Sequence, residues 1–416
     1  MSQSEPVVVI GGGIVGACCA WYLRQSGHEV TVIDAQKFGG ACSHANCGYI
    51  SPSHVLPLTV PGTIWKSLKS MASSNSPFYI RPRLSPGMWS WFLKFASRCN
   101  EKSMWEAAGS LHSLLQSSRA LYEQLIVGEG LQCEWTTDGI LFVYQSEHEF
   151  HEFEKTNGEI NQRFGVAAKP YDHKSLVAME PALKDNLGGA WHYECDAHVR
   201  PDLLMSELKR RLIQTGVTVL ENASFQSFRT ENGSAKAIQT SSGEIAGNRF
   251  VIATGAVTPL LNRELGVKVP IQPGKGYSIT MPRPSICPRY PMIFEEHRVA
   301  ITPMKTKYRI GSTMEFAGYD RSINQKRLKL LRNSAAIYLR EPYSEPVEEE
   351  WYGWRPMTWD SKPIIDQLPD FKNVWMATGH NMLGISLGAV TGKLIAEMLN
   401  GEQPHLDLSP FRINRR

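Results

Sequence analysis

Six residues near the amino end have the types and spacing for nucleotide chemistry: Gly11-Gly12-Gly13-Ile14-Val15-Gly16. They follow the β-branched run Val7 to Ile10 and open a helical pattern that lasts to about Ser26. The glycines fit GxGxxG at Gly11, Gly13 and Gly16. The first permits a tight turn, the second lets a pyrophosphate approach the backbone, and the third lets helix and strand pack closely. Ile14 and Val15 lie in the first helical turn, where free N–H groups and the helix dipole favour phosphate. Glu29 to Ile33 reads as the next strand and ends on Asp34, 18 residues after Gly16, with Ala35 beside it. An acid there accepts hydrogen bonds from a ribose diol and disfavours a 2′-phosphate. Strand, helix, second strand and acid together make this pattern specific. Neither Gly274-Lys275-Gly276 nor the segment Gly379 to Gly384 has that setting. One such site leaves two classes open: an NAD-dependent dehydrogenase, or a flavoprotein that takes hydride from the substrate itself.

Other chemistry is sparse. Cys42-x-His44-x-x-Cys47 offers three soft ligands within six residues, but no fourth ligand cluster follows, so no metal is expected. Eight cysteines in 416 residues, with no CxxC pair, do not make a disulfide scaffold. A reducing cytosol is the expected compartment.

The elements that must position the glycine turn can be read coarsely. With 42% hydrophobic and 20% charged residues, the chain can bury two or three sizeable cores. A net charge of +4 gives no argument for nucleic acid. Pro6 to Leu23 is uncharged, but it lacks a basic flank, holds four glycines and runs into GHEVTVIDA, so it reads as strand and helix of a soluble protein. Residues 61–125 are rich in tryptophan (Trp65, Trp89, Trp91, Trp105) with Lys66, Lys69, Arg81, Arg83, Lys94 and Arg98 among them. Helix packing with cations lying along it is the favoured reading, and a membrane-surface patch is the alternative. Residues 131–145 suggest a strand pair turning at Asp138-Gly139. Later come a helix at 201–215, strands near 217–220, 237–240 and 249–254, a strand at 374–377, and a helix from about 387 to 399. Two of these strands run into small residues, Ala253-Thr254-Gly255 and Thr378-Gly379.

Taken together, these pieces resemble the FAD-dependent D-amino-acid oxidase superfamily, and within it the bacterial D-amino-acid dehydrogenase small-subunit-like and D-hydroxyproline dehydrogenase branch. The resemblance is carried by VVVIGGGIVGACCAWYLRQSGHEVTVID, SHANCGYISP (43–52), QPGKGYS (272–278), YRIGSTMEF (308–316), GWRPMT (353–358) and ATGHNMLGIS (377–386). In the fourth of these Ser312 stands where the pattern has glycine.

The resemblance implies an α/β fold. A Rossmann-like FAD domain would be discontinuous (1–60, 195–265 and 350–416), with an interleaved antiparallel-sheet substrate domain of α+β type (61–194 and 266–349). It implies FAD as cofactor, contacted also by Ser43, Asn46 and Gly48, by Ala253, Thr254 and Gly255, and by Gly379, His380, Met382, Leu383 and Gly384. It implies hydride transfer from the Cα of a D-amino acid, cyclic imino acids included, to flavin N5, with electrons passed to a quinone or other carrier. Arg355 is the implied carboxylate ligand, because a planar guanidinium grips a carboxylate through two bonds. Tyr277 is implied as a second carboxylate or lid residue, and a core tyrosine is the alternative. His44, where many relatives carry an apolar or aromatic residue, would tune substrate choice or simply pack. A glycine- or sarcosine-type oxidase using O2 is the competing reading within the superfamily. An NAD-dependent dehydrogenase is a competitor from another class, and a non-catalytic nucleotide-binding or assembly subunit is a further one. The expected location is cytoplasmic, with peripheral contact on the inner face of the cytoplasmic membrane as an option. The sequence gives no reading of oligomeric state.

Overall fold

A computed structural model of the chain describes residues 6–62, 76 and 78–415. Trp65, Lys66 and Lys69 of the tryptophan-rich stretch lie outside the described residues. The chain opens with β1 (Val7–Ile10), α1 (Ile14–Gln25) and β2 (Val30–Ile33). All four residues of β1 are buried, as a strand with neighbours on both sides and apolar clusters on both faces requires. After a long loop come β3 (Tyr49–Ile50), β4 (Phe78–Ile80), α2 (Pro86–Arg98) and α3 (Glu101–Gly128). The next elements are β5 (Ile140–Tyr144), α4 (Glu147–Phe164), β6 (Lys169–Asp172), α5 (His173–Met179), β7 (Gly189–Tyr193), β8 (Ala197–His198) and α6 (Pro201–Gln214). Five strands follow, β9 (Thr218–Leu220), β10 (Phe225–Glu231), β11 (Ser234–Thr240), β12 (Gly243–Ala246) and β13 (Arg249–Ile252). The last part holds α7 (Asn262–Leu265), β14 (Ile271–Pro282), β15 (Met292–Phe294), β16 (Val299–Pro303), β17 (Lys307–Phe316), α8 (Gln325–Tyr338), β18 (Glu349–Thr358), β19 (Ile364–Gln367), β20 (Val374–Thr378) and α9 (Gly384–Asn400).

Two large sheets organise these elements. The first has the order β19-β20-β13-β1-β2-β9 and is parallel except for β19. Its strands come from three separate stretches of sequence. The second has the order β18-β14-β17-β16-β15-β5-β7-β6, with β4 on β17. Helices α1 and α9 cover one face of the first sheet. They meet closely because a Cβ on Gly392 of α9 would collide with the Cys18 backbone of α1, and one on Gly388 would crowd Ile14 of α1 and the Tyr122 hydroxyl of α3. Helix α3 adds to this layer, with Ser118 Oγ accepting from Val390 N at 3.3 Å.

Three expectations are corrected. Residues 131–145 do not form a hairpin at Asp138-Gly139. Only β5 is a strand, and its neighbours are β7 and β15. All five of its side chains are buried, so it sits inside a sheet rather than on a two-stranded ribbon. The segment from Glu349 to Thr358 belongs to the second sheet, paired with β14 along its length, and not to the nucleotide unit. Helix α3, expected with the substrate domain, shares the apolar cluster of α1 and α9.

Asp196, between β7 and β8, is fully buried and accepts from Ser53 N (3.0 Å) and Ser53 Oγ (2.6 Å). Burial pushes its carboxyl from 3.8 up to about 7, against those hydrogen bonds. Between these two values the native chain keeps a proton that the unfolded chain has lost, so stability falls as pH rises through that window. Asp196→Asn keeps the shape and cannot ionise. Thermal melts from pH 4 to 8 should show a flatter profile for this variant and a Tm above the parent at pH 8. Parallel profiles would refute the assignment.

Candidate active site

The glycine turn is built as its spacing predicts. Gly11 has φ +114°, a left-handed-side value that suits glycine, and a Cβ there would lie 2.5 Å from the Ala253 carbonyl oxygen. A Cβ on Gly16 would overlap the Gly11 carbonyl. Gly13 caps α1 with no side-chain acceptor of its own. Ser43 reaches in instead, and Ile14 N donates to its Oγ at 3.0 Å. Val15 follows in the same first turn. Asp34 accepts from Gly12 N (2.7 Å) and Gln36 N (2.8 Å), which fixes its carboxylate beside the turn while lone pairs remain for a ligand. Burial raises its pKa, and the two N–H groups oppose that rise. Ala35 is exposed beside it.

The ends of β13 and β20 lie next to this turn. Thr258 Oγ1 meets Thr254 Oγ1 and Thr378 Oγ1, each at 3.0 Å, and both Thr258 and Thr378 donate to the Gly255 carbonyl. Gly379 has φ +75°, and His380 behind it is buried with Nε2 2.9 Å from Thr391 Oγ1. Burial pushes His380 down to about 3, so it stays neutral. Met382 is exposed, Leu383 caps α9 and Gly384 begins it. Sequence reasoning passed over Asn381. Its Oδ1 accepts from Thr358 N (2.9 Å) and its Nδ2 donates to Gly379 O and Thr358 Oγ1 (3.0 Å each), tying β18 to the turn. Its φ is +53°, a conformation that asparagine tolerates better than most residues.

Residues 42–51 join the two sheets. The carbonyls of Ala45, Asn46 and Cys47 each accept from the second sheet at 2.8 Å: from Ser278 Oγ on β14, Arg309 Nη1 on β17 and Thr302 Oγ1 on β16. Tyr49 OH donates to Ile301 O at 2.6 Å, and Ser386 Oγ of α9 donates to Tyr49 O at 2.8 Å. Asn46 folds the loop on itself by donating to Cys42 O and accepting from Gly48 N. Gly48 is also required, because a Cβ there would run into the Val199 carbonyl. Arg309 was not singled out in the sequence. It is buried, burial lowers its pKa, and its Nε donates to Thr280 Oγ1 at 2.9 Å.

The sheet face below this loop is unusually bare. Gly274 and Gly276 of β14, Gly311 of β17 and Gly353 of β18 leave a trough. Arg355 lies in it, with its guanidinium over Gly276. Its Nη1 donates to Thr313 O at 2.6 Å. Among the described residues no carboxylate pairs with Arg355. The side chains around it are soft and uncharged: Met314, Cys42 and Cys47. Burial raises both thiols, so they stay protonated, and the nearby Arg355 charge opposes that rise. These two cysteines, which the sequence offered only as soft ligands for a metal, lie instead beside Arg355.

The other two implied catalytic residues do not join Arg355. Tyr277 is one step along the pleat from Gly276, so it points through the opposite face of the sheet. There it is buried beside α8, with its OH donating to Glu315 Oε2 at 2.5 Å. It is a satisfied core tyrosine. His44 pairs with Glu349 at the start of β18, Nε2 to Oε1 2.8 Å. Among the described residues no set of three His, Cys, Asp or Glu could hold a metal, and no helix is long and apolar enough to cross a membrane.

A parallel sheet that runs into a glycine turn and a helix N-terminus, with an acid at the end of its second strand, is the architecture of a dinucleotide-binding protein. The chain belongs to the DAO family of FAD dependent oxidoreductases, whose profile matches residues 6–398, and its cofactor is FAD. It is 32% identical to a D-amino acid dehydrogenase of Paramagnetospirillum magneticum and 30% identical to one of Granulibacter bethesdensis. These alignments cover 98% of this chain in both cases, and 98% and 99% of the respective relatives. Among solved structures, a glycine oxidase from Geobacillus kaustophilus superposes with a TM-score of 0.80 at 21% identity, over 99% of this chain and all of that one. An L-proline dehydrogenase from P. horikoshii gives 0.72 at 20%, over 99% and 98%. These likenesses agree in fold. The residues present fit FAD. The glycine turn leaves an open approach at Gly13, Asp34 keeps free lone pairs, and the buried Ser51 Oγ, beside the start of α9, has no partner.

Tyr277→Phe removes the buried donor to Glu315. We expect a loss of about 1–3 kcal/mol in stability, with KM for substrate within about twofold of the parent. Denaturant melts and steady-state kinetics check this. A large KM rise at unchanged stability would return Tyr277 to the active site.

Proposed function

We propose that this chain oxidises D-amino acids at Cα, cyclic imino acids such as D-proline included, and passes the electrons to a quinone or other carrier. The observation that carries this reading is Arg355, a guanidinium without a carboxylate partner among the described residues, lying over a glycine floor. The D-amino acid dehydrogenase relatives, aligned over nearly the whole chain, supply the substrate class and the dehydrogenase acceptor. FAD, when bound, supplies the two-electron acceptor for the Cα hydride.

The chain's own residues bind and orient. Arg355 takes the substrate carboxylate and completes a charge pair that the uncharged thiols and thioethers around it leave open. Burial lowers its pKa, so an incoming anion restores what desolvation cost. The 42–51 loop lies over the trough, held to β14, β16 and β17 by its carbonyls. His380 stays neutral and adds no competing positive charge.

Anaerobic mixing of the yellow holoenzyme with D- and L-amino and imino acids tests the proposal. Flavin bleaching by D-isomers, with dye or quinone reduction exceeding peroxide formation, is the expected result. Bleaching by L-isomers alone would overturn the substrate class, and fast stoichiometric peroxide would favour the oxidase reading. Arg355→Ala should cost at least about 2 kcal/mol, roughly a 30-fold fall in kcat/KM, because a desolvated charge loses its partner. An unchanged kcat/KM would remove Arg355 from carboxylate binding.

A second reading concerns location, on the inner face of the cytoplasmic membrane. Helix α2 exposes Trp89 (49%) and Leu93 (73%), Leu84 before it is fully exposed, and Arg81 and Lys94 stand in solvent nearby. An apolar strip flanked by cations suits an anionic lipid surface. Co-sedimentation with phosphatidylglycerol vesicles should fall at least about fivefold for Trp89→Ser with Leu93→Ser. Equal binding by parent and variant would place any membrane contact elsewhere.

A further inference from the structure

The strand that faces Arg355 carries an irregularity that the function described so far does not use. Between Lys275↔Glu315 and Tyr277↔Ser312, β14 advances two residues while β17 advances three. The extra residue is a β-bulge set opposite Gly276. It is made by two successive non-glycine residues with positive φ, Ser312 at +109° and Thr313 at +58°. Such conformations cost about 1–3 kcal/mol each and persist where the surrounding structure enforces them. In a regular antiparallel ladder a strand carbonyl is directed at its neighbour strand. Here the Thr313 carbonyl turns out of the ladder and accepts from Arg355 Nη1 at 2.6 Å. Gly276 completes the seat, since a Cβ there would occupy the guanidinium's place.

We propose that the Ser312–Thr313 bulge positions Arg355, by holding one edge of the guanidinium on a backbone carbonyl so that the Nε/Nη2 edge is presented to the substrate carboxylate. The inference rests on the carboxylate-binding reading of Arg355 and adds the device that orients it. A guanidinium has five N–H donors in a rigid plane. Fixing Nη1 therefore fixes the whole fork, and a bidentate carboxylate then has one edge to meet. Met314, the residue after the bulge, returns to the trough face and lies against the same guanidinium, its Sδ 3.7 Å from Nη1. Ser312 and Thr313 are positioning residues and touch no substrate.

The test uses the holoenzyme and pyruvate as a carboxylate probe, followed by perturbation of the flavin spectrum. Ser312→Val places a β-branched side chain where φ is positive and should flatten the bulge. The pyruvate dissociation constant and the KM for a D-amino acid should then rise together, about tenfold, with kcat at saturation within about twofold. Ser312→Gly, which accepts the same φ, should bring both constants back to within about twofold of the parent. If Ser312→Val fails to fold, Ser312→Thr makes the same backbone demand with a side chain closer to serine. Unchanged constants in a folded β-branched variant would overturn the proposal, as would equal losses in the valine and glycine variants. Arg355→Ala run alongside separates the two levels. If it weakens pyruvate while the bulge variants do not, only the positioning device fails. If Arg355→Ala leaves pyruvate unaffected, the carboxylate reading itself fails.

Discussion

Three consecutive carbonyls, those of Ala45, Asn46 and Cys47, set the geometry of this molecule. Each is held by a buried or half-buried side chain from a different strand of the second sheet. The same loop is held on its other side by Ile14 N and Ser386 Oγ, from the first turns of α1 and α9. Each bond is modest alone, about 0.5–1.5 kcal/mol, but a buried carbonyl left unpaired costs more. The loop therefore cannot drift from either side without stranding polar groups. It fixes the gap between the glycine turn and the Arg355 trough.

Charge is arranged around that gap sparingly. Arg309 is spent on the loop, His44 and Glu349 on each other, and Tyr277 and Glu315 on the far face of the sheet. Asp34 is oriented by two backbone N–H groups. Among the described residues Arg355 has no carboxylate partner, and its neighbours are two thiols that burial keeps protonated and the thioether of Met314. A near-neutral protein can thus present one localised positive site without a surface field. This suits a small zwitterion better than a polyanion.

Much of this was legible in the sequence where one physical rule decides. The GxGxxG turn, its flanking strands and Asp34 follow from local backbone demands, and they sit where those demands put them. The same holds for α6, the β13 and β20 strands and α9. What escaped was set by partners distant in the chain. The apolar run 140–144 looks the same whether it turns back on itself or enters a large sheet, and its actual neighbours are residues 189–193 and 292–294. Tyr277 follows Gly276, and the pleat alone sends it away from Arg355. That parity becomes readable only once the face bearing the trough is known. Arg309 donates to the Asn46 carbonyl and Asn381 accepts from the Thr358 amide, and a hydrogen bond to a remote main chain leaves no motif.

The close contact of α1 and α9 at Cys18, Gly388 and Gly392 also bears on how the protein is made. The first strand of the nucleotide sheet and the last parallel one are separated by 363 residues, from Ile10 to Val374. A ribosome adding about 5–20 residues per second spends roughly 20–70 s between them. Through that interval β1 and α1 have emerged without the helix that closes over them, and Ser43 without the Ser386 that fixes its loop. Cofactor capture therefore waits for synthesis of β20 and α9, and until then the apolar faces of β1 and α1 lack the partners that cover them.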